Sequence, residues 1–450
     1  MSSVLGISLP GEWSSAPLKH VTTYLNRGSV PTYVDEGAVR AIGQAANQAT
    51  GIDWTRTRFH DFSGDPRRLK GFLRPNDLLI NSTGTGTLGR VGYFRESPDG
   101  LPCVADSHVT IARAKISELD SRFMYYWLNS RPFQEFMYAA LVVGATNQIE
   151  LNRDRLGDAS VPLPGLKEQH RIADFLDAET ARIDRLVDLR RLQLLRLEER
   201  AYAAVSEILI PGILGFSQSS GPWPWLPAMA DDRPLVRLGY VCRLQNGLTV
   251  DSKRDLAGDV VTRPYLRVAN VQTGHVDLDS VVEITVPRHI SNRTSLRPGD
   301  VLMTEGGDLD KLGRGTVWRG ELPDCLHQNH VFALRPEPDR LDGDYLALMT
   351  RTLHGRCYFE STGSRTTNLA STNSSKIMSF PIPLPSVAAQ RALADEAQAV
   401  IDNSQAAKQL LERQLGLLSE RRQALITAAV TGQFDVSTAS GRNTTEGISA

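Results

Sequence analysis

At 450 residues the chain exceeds what a single hydrophobic core organises, so two to three domains are expected. Its 41% hydrophobic and 22% charged residues fit a globular protein, and no apolar run approaches the roughly 20 residues that a membrane helix needs. The formal charge of −1 is silent about a nucleic-acid partner, because such binding depends on where charge sits and not on its sum. The four cysteines Cys103, Cys242, Cys325 and Cys357 show no CxxC spacing, which argues for a reduced compartment and against structural zinc. The start, Met1 to Gly6, has neither the basic residues nor the apolar core of a secretion signal. The expected location is cytoplasmic, with no membrane partner.

In chain order, Trp13 and Leu18-Lys19-His20-Val21 lead to a turn at Asn26-Arg27-Gly28. Short strand-and-turn pieces follow at Val39 to Ile42 and Gly51 to Trp54. Leu73-Arg74-Pro75-Asn76-Asp77-Leu78-Leu79-Ile80 precedes a glycine-rich loop, Gly84 to Arg90, and a strand from Val91 to Phe94. The run Cys103 to Ile111 predicts a strand carrying His108, and Ser121 to Tyr138 an aromatic-rich helix. Short β runs between turn residues, with one or two helices, indicate a compact α/β domain.

At Pro162-Leu163-Pro164 the pattern changes. Proline ends the preceding extended segment and pre-sets φ for a helix start, and the following run has no glycine or proline until Pro211-Gly212. Leu176, Ile183, Val187, Leu194, Leu197, Ala201, Ala204 and Ile208 recur at steps of three, four or seven, the mark of a narrow packing seam. Forty helical residues span about 60 Å. The seam predicts a helical partner, against the plainer reading of a helix bridging through solvent.

A Ser/Gly/Pro/Trp-rich linker from Ser217 to Pro227 marks a boundary. The first half's features then return in order. Leu238 to Val241 matches Leu18 to Val21, and Arg267 to Asn270 takes the place of Arg40 to Gly43. Leu296-Arg297-Pro298-Gly299-Asp300-Val301-Leu302 repeats Leu73 to Leu79, Leu312-Gly313-Arg314 repeats Leu88-Gly89-Arg90, and Cys325 to Val331 repeats Cys103 to Val109 with His330 on His108. Pro383-Leu384-Pro385 stands about 220 residues after Pro162-Leu163-Pro164, and in each copy Gln follows five residues after the second proline (Gln169, Gln390). A second long helix is predicted from Val387 to about Val430, with Leu393, Val400, Ala407, Leu411, Leu418 and Leu425 as its seam and Gly432 as its C-terminal cap.

The expected fold class is α/β (α+β): two similar domains separated by two long helices that form an antiparallel coiled coil, a pseudo-two-fold repeat. The expected boundaries are 1–165 for the first domain, 166–215 for the first helix, 216–385 for the second domain, 386–436 for the second helix and 437–450 for a polar, disordered tail. Such a rod exceeds one duplex turn of about 34 Å, which suits an asymmetric two-part target.

The search for chemistry finds recognition material and no catalytic constellation. The loop Gly84 to Arg90 lacks the Gly-Lys-Ser/Thr ending of a Walker loop. It reads either as a strand-end turn or as a place where Thr85, Arg90 and their counterparts Lys311 and Arg314 approach a nucleic-acid backbone. His108 and His330 have no ligand-spaced partner in both copies, so no metal is expected. Asp251-Ser252-Lys253 has no counterpart in the first copy, and no nucleophile elbow or cofactor-binding glycine turn is present. Before each long helix stand polar runs: Thr146, Asn147 and Gln148 in the first half, Arg365, Thr366, Thr367 and Asn368 in the second. Asn and Gln pair bidentately with adenine and Arg with guanine in a major groove; the plainer role is loop capping.

The doubled Pro-Leu-Pro-x4-Gln helix start, the Arg-Pro-x-Asp-Leu/Val-Leu strand in each half and the ending Val430-Thr431-Gly432-Gln433-Phe434-Asp435-Val436 together resemble the specificity subunit of a type I restriction-modification system, from Trp13 to Val436. The family's Gly-Ser-Thr-Gln-like element is only approximated, by Gly144 to Gln148 and by Gly363 to Asn368. The resemblance implies two target-recognition domains, each reading one half of a split double-stranded DNA target. It also implies a coiled coil that sets the spacer and docks two methyltransferase (M) subunits, with restriction (R) subunits in the full complex. This subunit would then be no enzyme and bind no cofactor; S-adenosylmethionine, ATP and magnesium are expected in the partner subunits. Two other readings keep part of the pattern: a coiled-coil scaffold with two protein-binding domains, and the recognition part of a fused restriction-methylation enzyme.

Overall fold

A computed structural model of the chain describes residues 3–48, 51–84, 86–144, 149–215, 235–250, 256–307, 312–365 and 370–438. The expected linker at Ser217 to Pro227, the Asp251-Ser252-Lys253 step and all but the first two residues of the expected tail lie outside the described residues. The chain divides into two compact units, one of Met1–Arg190 with Arg413–Ala450 and one of Arg191–Glu412. The two long helices span Leu166–Leu209 and Val387–Val430, and each contributes a segment to both units.

The first unit is built on an antiparallel sheet in the order Val91–Tyr93, Leu78–Asn81, Val109–Ala114, Thr22–Arg27. Its central strand is covered on both faces. By the two-residue period of a strand, Leu78 and Ile80 face one core, shared with Phe123, Trp127 and Leu156, while Leu79 faces a second with Ile42, Val109 and Ile111. A smaller sheet places Cys103–Ala105 parallel to Val39–Ile42, followed by Arg58–His60 and Tyr33–Val34. The expected single helix from Ser121 to Tyr138 is instead two: Ser121–Asn129, capped by the Asp120 carboxylate, and Arg131–Phe136, followed by a wider π turn over Met137–Leu141. Pro132 is the cause: in one continuous helix it would lack the N–H for the Leu128 carbonyl and its ring would clash with that group, whereas in the first turn of a new helix, after the extended Ser130, neither matters.

The second unit repeats the plan. Its antiparallel sheet runs Gly315–Val317, Val301–Thr304, Val331–Pro336, Cys242–Asn246, and Leu326–His327 lies parallel to the end of Val260–Leu266. This pairing corrects the sequence alignment of the halves by three residues. Ala41 and Ile42 pair with Val104 and Ala105, and their counterparts opposite Leu326 and His327 are Tyr265 and Leu266, not Val268 and Ala269. Arg267 to Asn270 forms the turn that Gly43 to Ala46 forms in the first unit: Asn270 N–H donates to Arg267 O, as Ala46 N–H does to Gly43 O. The shared arginine, Arg40 and Arg267, hid this shift because strand β propensity alone does not set register.

Two buried polar devices occur in both units. Arg113 forks onto the Asp77 carboxylate with two bonds of 2.7 Å, and Arg335 does the same to Asp300. Each carboxylate also accepts a backbone N–H at 2.8 Å from the Arg of its own Arg-Pro-x-Asp turn, Arg74 or Arg297. That explains why the Asp sits three residues after the Arg. Gln169 and Gln390, each essentially unexposed, tie the helix starts to the domains.

The helix segments pair antiparallel within each unit. In the first, Ile172, Leu176 and Ile183 are buried with Leu425, Ile426, Ala429 and Val430, with Val187 and Leu418 half-buried beside them. Asp184 accepts from Arg422 at 3.0 Å, and the Phe175 and Phe434 rings lie 5.6 Å apart, so numbers rise along one segment as they fall along the other. In the second, Val205 and Leu209 pack with Ala394, Ala397 and Val400, and Lys408 donates to Glu198 at 2.6 Å. Leu194, Leu197 and Leu411 are half-buried, whereas Leu189, Leu192 and Leu195 are 50–59% exposed. After the second helix, Gly432 at φ +72° turns the chain so that Phe434 and Val436 reach the first core; a Cβ there would lie 2.4 Å from Pro10. This close approach is the physical content of the Thr-Gly-Gln-Phe ending.

Candidate nucleic-acid interface

In each unit the fold brings the start of the glycine loop beside a short strand that flanks the polar run, two stretches some 60 residues apart in sequence. In the first unit Thr83 bridges to Glu150, on the hairpin Val142–Val143 with Glu150–Leu151. The Thr83 hydroxyl lies 2.8 Å from His108 Nδ1 and donates to Gln44 Oε1 at 3.2 Å. Helix Arg131–Phe136 and the π turn hold the loop from below, through Gln134 Nε2 to Gly89 O at 3.2 Å and Tyr138 Oη to Leu88 O at 2.7 Å. In the second unit Gly306–Gly307 pairs with Ala370–Ser371, which pairs with Ser364–Arg365. His330 Nδ1 lies 2.5 Å from Glu305, and Lys376 Nζ donates to Ser364 Oγ at 2.9 Å.

Of the candidate DNA-contacting residues, Thr85, Thr146, Asn147, Gln148, Lys311, Thr366, Thr367 and Asn368 lie outside the described residues, as does the side chain of Arg365. Arg90 is half-buried, its guanidinium donating to Gln48 Oε1 at 2.7 Å and Asn47 O at 3.2 Å. Arg314 donates to Thr273 Oγ1 at 3.1 Å. His108 and His330 sit in exposed turns and not within strands: the N–H of Val109 closes back on Asp106, and that of Val331 on Gln328. Beneath His108 lies Asp106, buried, accepting from the His108 N–H at 2.8 Å and facing Tyr33 Oη at 3.3 Å. Burial pushes its carboxyl above the ordinary range, against the pull of those donors. Among the described residues no group of three His, Cys, Asp or Glu side chains could hold a metal ion, and no helix is long and apolar enough to cross a membrane.

Residues 63–194 match the family described as the type I restriction modification DNA specificity domain. The EcoKI specificity subunit of Escherichia coli K12 is 26% identical over 341 residues, covering 74% of this chain and 68% of that one. The chain is thus similar to type I restriction-modification specificity subunits. A provisionally named MjaX specificity subunit of Methanocaldococcus jannaschii is 24% identical over 153 residues, so the match spans 35% of that relative's length. The fold is that of a chain solved in work on complex assembly and conformational transition of the type I R-M system, with a TM-score of 0.72 over 95% of this chain and 100% of that one at 19% identity.

The chain also carries a group of cations outside the motifs. Arg56, Arg58, Arg67, Arg68 and Lys70 are exposed on strand Arg58–His60 and the turns beside it, and the Arg58 guanidinium lies 3.8 Å over the Tyr33 ring. Counting Lys and Arg between residues 56 and 70 would have found them. The matched surface of the second unit carries Arg263 and Arg288, paired to Asp324 at 2.9 Å and Asp259 at 2.7 Å.

Proposed function

We propose that this chain is the DNA-reading, non-catalytic component of a type I restriction-modification assembly. Residues 1–165 and 216–385 act as two target-recognition domains, each reading one half of a bipartite, asymmetric double-stranded DNA target. The helices in 166–215 and 386–436 set the spacer between half-sites and dock two methyltransferase subunits, directing adenine methylation, and restriction subunits join for cleavage. S-adenosylmethionine, ATP and magnesium belong to those partners. The observation that carries this reading is the duplicated placement of a glycine loop beside a polar hairpin in each unit. Such an arrangement suits close approach to a nucleic-acid backbone, with base reading assigned to the polar residues of the hairpin. Thr85, Arg90, Thr146 to Gln148, Lys311, Arg314 and Arg365 to Asn368 are the proposed contacts.

The test is long-read sequencing of modified adenines in cells with and without this gene. The expected result is loss of methylation at one split motif on deletion, and a change of one half of that motif when residues 1–165 are exchanged for another recognition domain. A change in both halves would refute the two-reader assignment.

A further inference from the structure

The second unit contains a cavity of about 810 Å³ between its long-helix segments and the turn after Val260–Leu266. One wall is apolar, made by Ala201, Val205 and Ile401; the other presents Thr273, Arg314, Arg351 and Arg356, and Glu198, Glu360 and Glu412 also line the cavity. Two of the nearby cations are already compensated: Lys408 by Glu198 at 2.6 Å, and Arg356 by Glu360 at 3.0 Å and by Leu312 O. Arg351 is not. Among the described residues none accepts a hydrogen bond from its half-buried guanidinium. Arg351 lies against Gly274, where a Cβ would be 3.2 Å from a guanidinium nitrogen, and Gly274 holds φ +82°. Burial first, then the neighbouring Arg314 charge, pulls the Arg351 guanidinium below its ordinary value. A guanidinium stays charged in proteins, so Arg351 shares the recess with a second guanidinium, that of Arg314, which has partners of its own.

The first unit shows that the fold does not require this. Asp120 and Asp342 cap equivalent helices, which places Asn129 at the position of Arg351 and Gln134 at that of Arg356. Gln134 contacts Gly89 O where Arg356 contacts Leu312 O, in the same loop. At the position of Arg314 the first unit has Arg90, already engaged by Gln48. Asn129 satisfies itself on Tyr125 O at 3.0 Å. At these three matched positions the second unit carries three arginines and the first carries one.

We infer that the Arg314–Arg351–Arg356 recess of the second unit is a binding site for a phosphoryl anion. Guanidinium forks match phosphate oxygens, the Thr273 and Tyr202 hydroxyls supply further donors at the rim, and the volume falls within that of ordinary ligand sites. The phosphoryl group is either free or part of a DNA strand; only the latter source rests on the proposed DNA reading.

The experiment uses the full chain and two probes. Inorganic phosphate is titrated calorimetrically at constant ionic strength into wild type, Arg351→Gln, Arg314→Gln and, as a control outside the cavity, Arg319→Gln. The salt dependence of duplex DNA binding is then measured for the same four proteins. Loss of about tenfold or more in phosphate affinity in both cavity variants, with an unchanged DNA salt slope, supports a free-anion site and stands even if the chain reads no DNA. A salt slope lowered by about one in both cavity variants supports a phosphodiester of the strand. If the wild type binds no phosphate and the slopes agree, or if the control falls with the cavity variants, the inference is overturned. Arg351→Gln removes an uncompensated charge, so its melting temperature should not fall; Arg314→Gln provides the same reading from the other side of the recess.

Discussion

Replacing Gln169 with leucine tests how each recognition unit is locked to its long helix. The Gln169 side chain is 1% exposed and makes three hydrogen bonds: its Oε1 accepts the Asp120 N–H at 2.8 Å, and its Nε2 donates to Pro164 O at 2.8 Å and Glu118 O at 3.0 Å. Gln390 makes the same three, to Asp342 N, Pro385 O and Arg340 O at 2.8–2.9 Å. Leucine keeps much of the volume and none of the bonds. Leaving one N–H and two carbonyls buried without a partner costs about 1–1.7 kcal/mol each, toward the low end for groups at a helix start, or about 3–5 kcal/mol in all; the added apolar burial of leucine returns about 1 kcal/mol. The expected net loss is about 2–4 kcal/mol, local to one unit. Because the chain has two units, a single global transition is a poor measure, and amide hydrogen exchange read by peptide is the better assay. Gln169→Leu should speed exchange in helix Ser121–Asn129, whose capping residue Asp120 loses its anchor, by about thirtyfold to a thousandfold. Helix Gly343–Met349 should stay unchanged, and Gln390→Leu should show the reverse pattern. An acceleration below about fivefold in both variants would refute the reasoning, because it would mean that water reaches these groups or that the amide is dispensable.

Two further outcomes follow from the same geometry. Gly89 and Gly313 hold φ +78° and +72°, and a Cβ would lie 1.8 Å from Met137 Cε or 2.2 Å from Phe359 Cγ. Alanine at Gly313 should cost about 3 kcal/mol or more from backbone strain and overpacking, and alanine at Gly89 less because methionine yields; matched urea melts that rank them the other way would refute this. His327 and His354 are both fully buried, and burial lowers both below the ordinary 6.5, so they fold neutral. The unfolded chain takes up protons near pH 6.5 that the folded one refuses. Stability of the second unit should therefore be flat above pH 6.5 and fall as pH drops toward 5, by up to about 1.4 kcal/mol per pH unit for each histidine. Fluorescence of Trp318, buried in this unit, reports the urea midpoint; a midpoint unchanged between pH 7.5 and 5 would sink the argument.

Much of this architecture is written into the chain locally. The two long helices follow from seam spacing and from proline before each start, and the doubling from ordered repeats such as Leu73 to Leu79 with Leu296 to Leu302. Physical pattern suffices there because helix periodicity and turn chemistry are short-range properties. Contacts distant in sequence could not be read in the same way. Asp77 and Asp300 were visible as repeated letters, but their arginine partners, Arg113 and Arg335, depend on which strands become neighbours. The three-residue shift that sets Tyr265, and not Val268, opposite Leu326 was likewise decided by strand pairing. The break before Pro132 was local and legible, yet the aromatic run concealed it. The pairing of glycine loop with polar hairpin, and the gathering of Arg314, Arg351 and Arg356 around one recess, belong to tertiary structure alone. Side chains dozens of residues apart have no common period, and only the folded backbone fixes the distance between them.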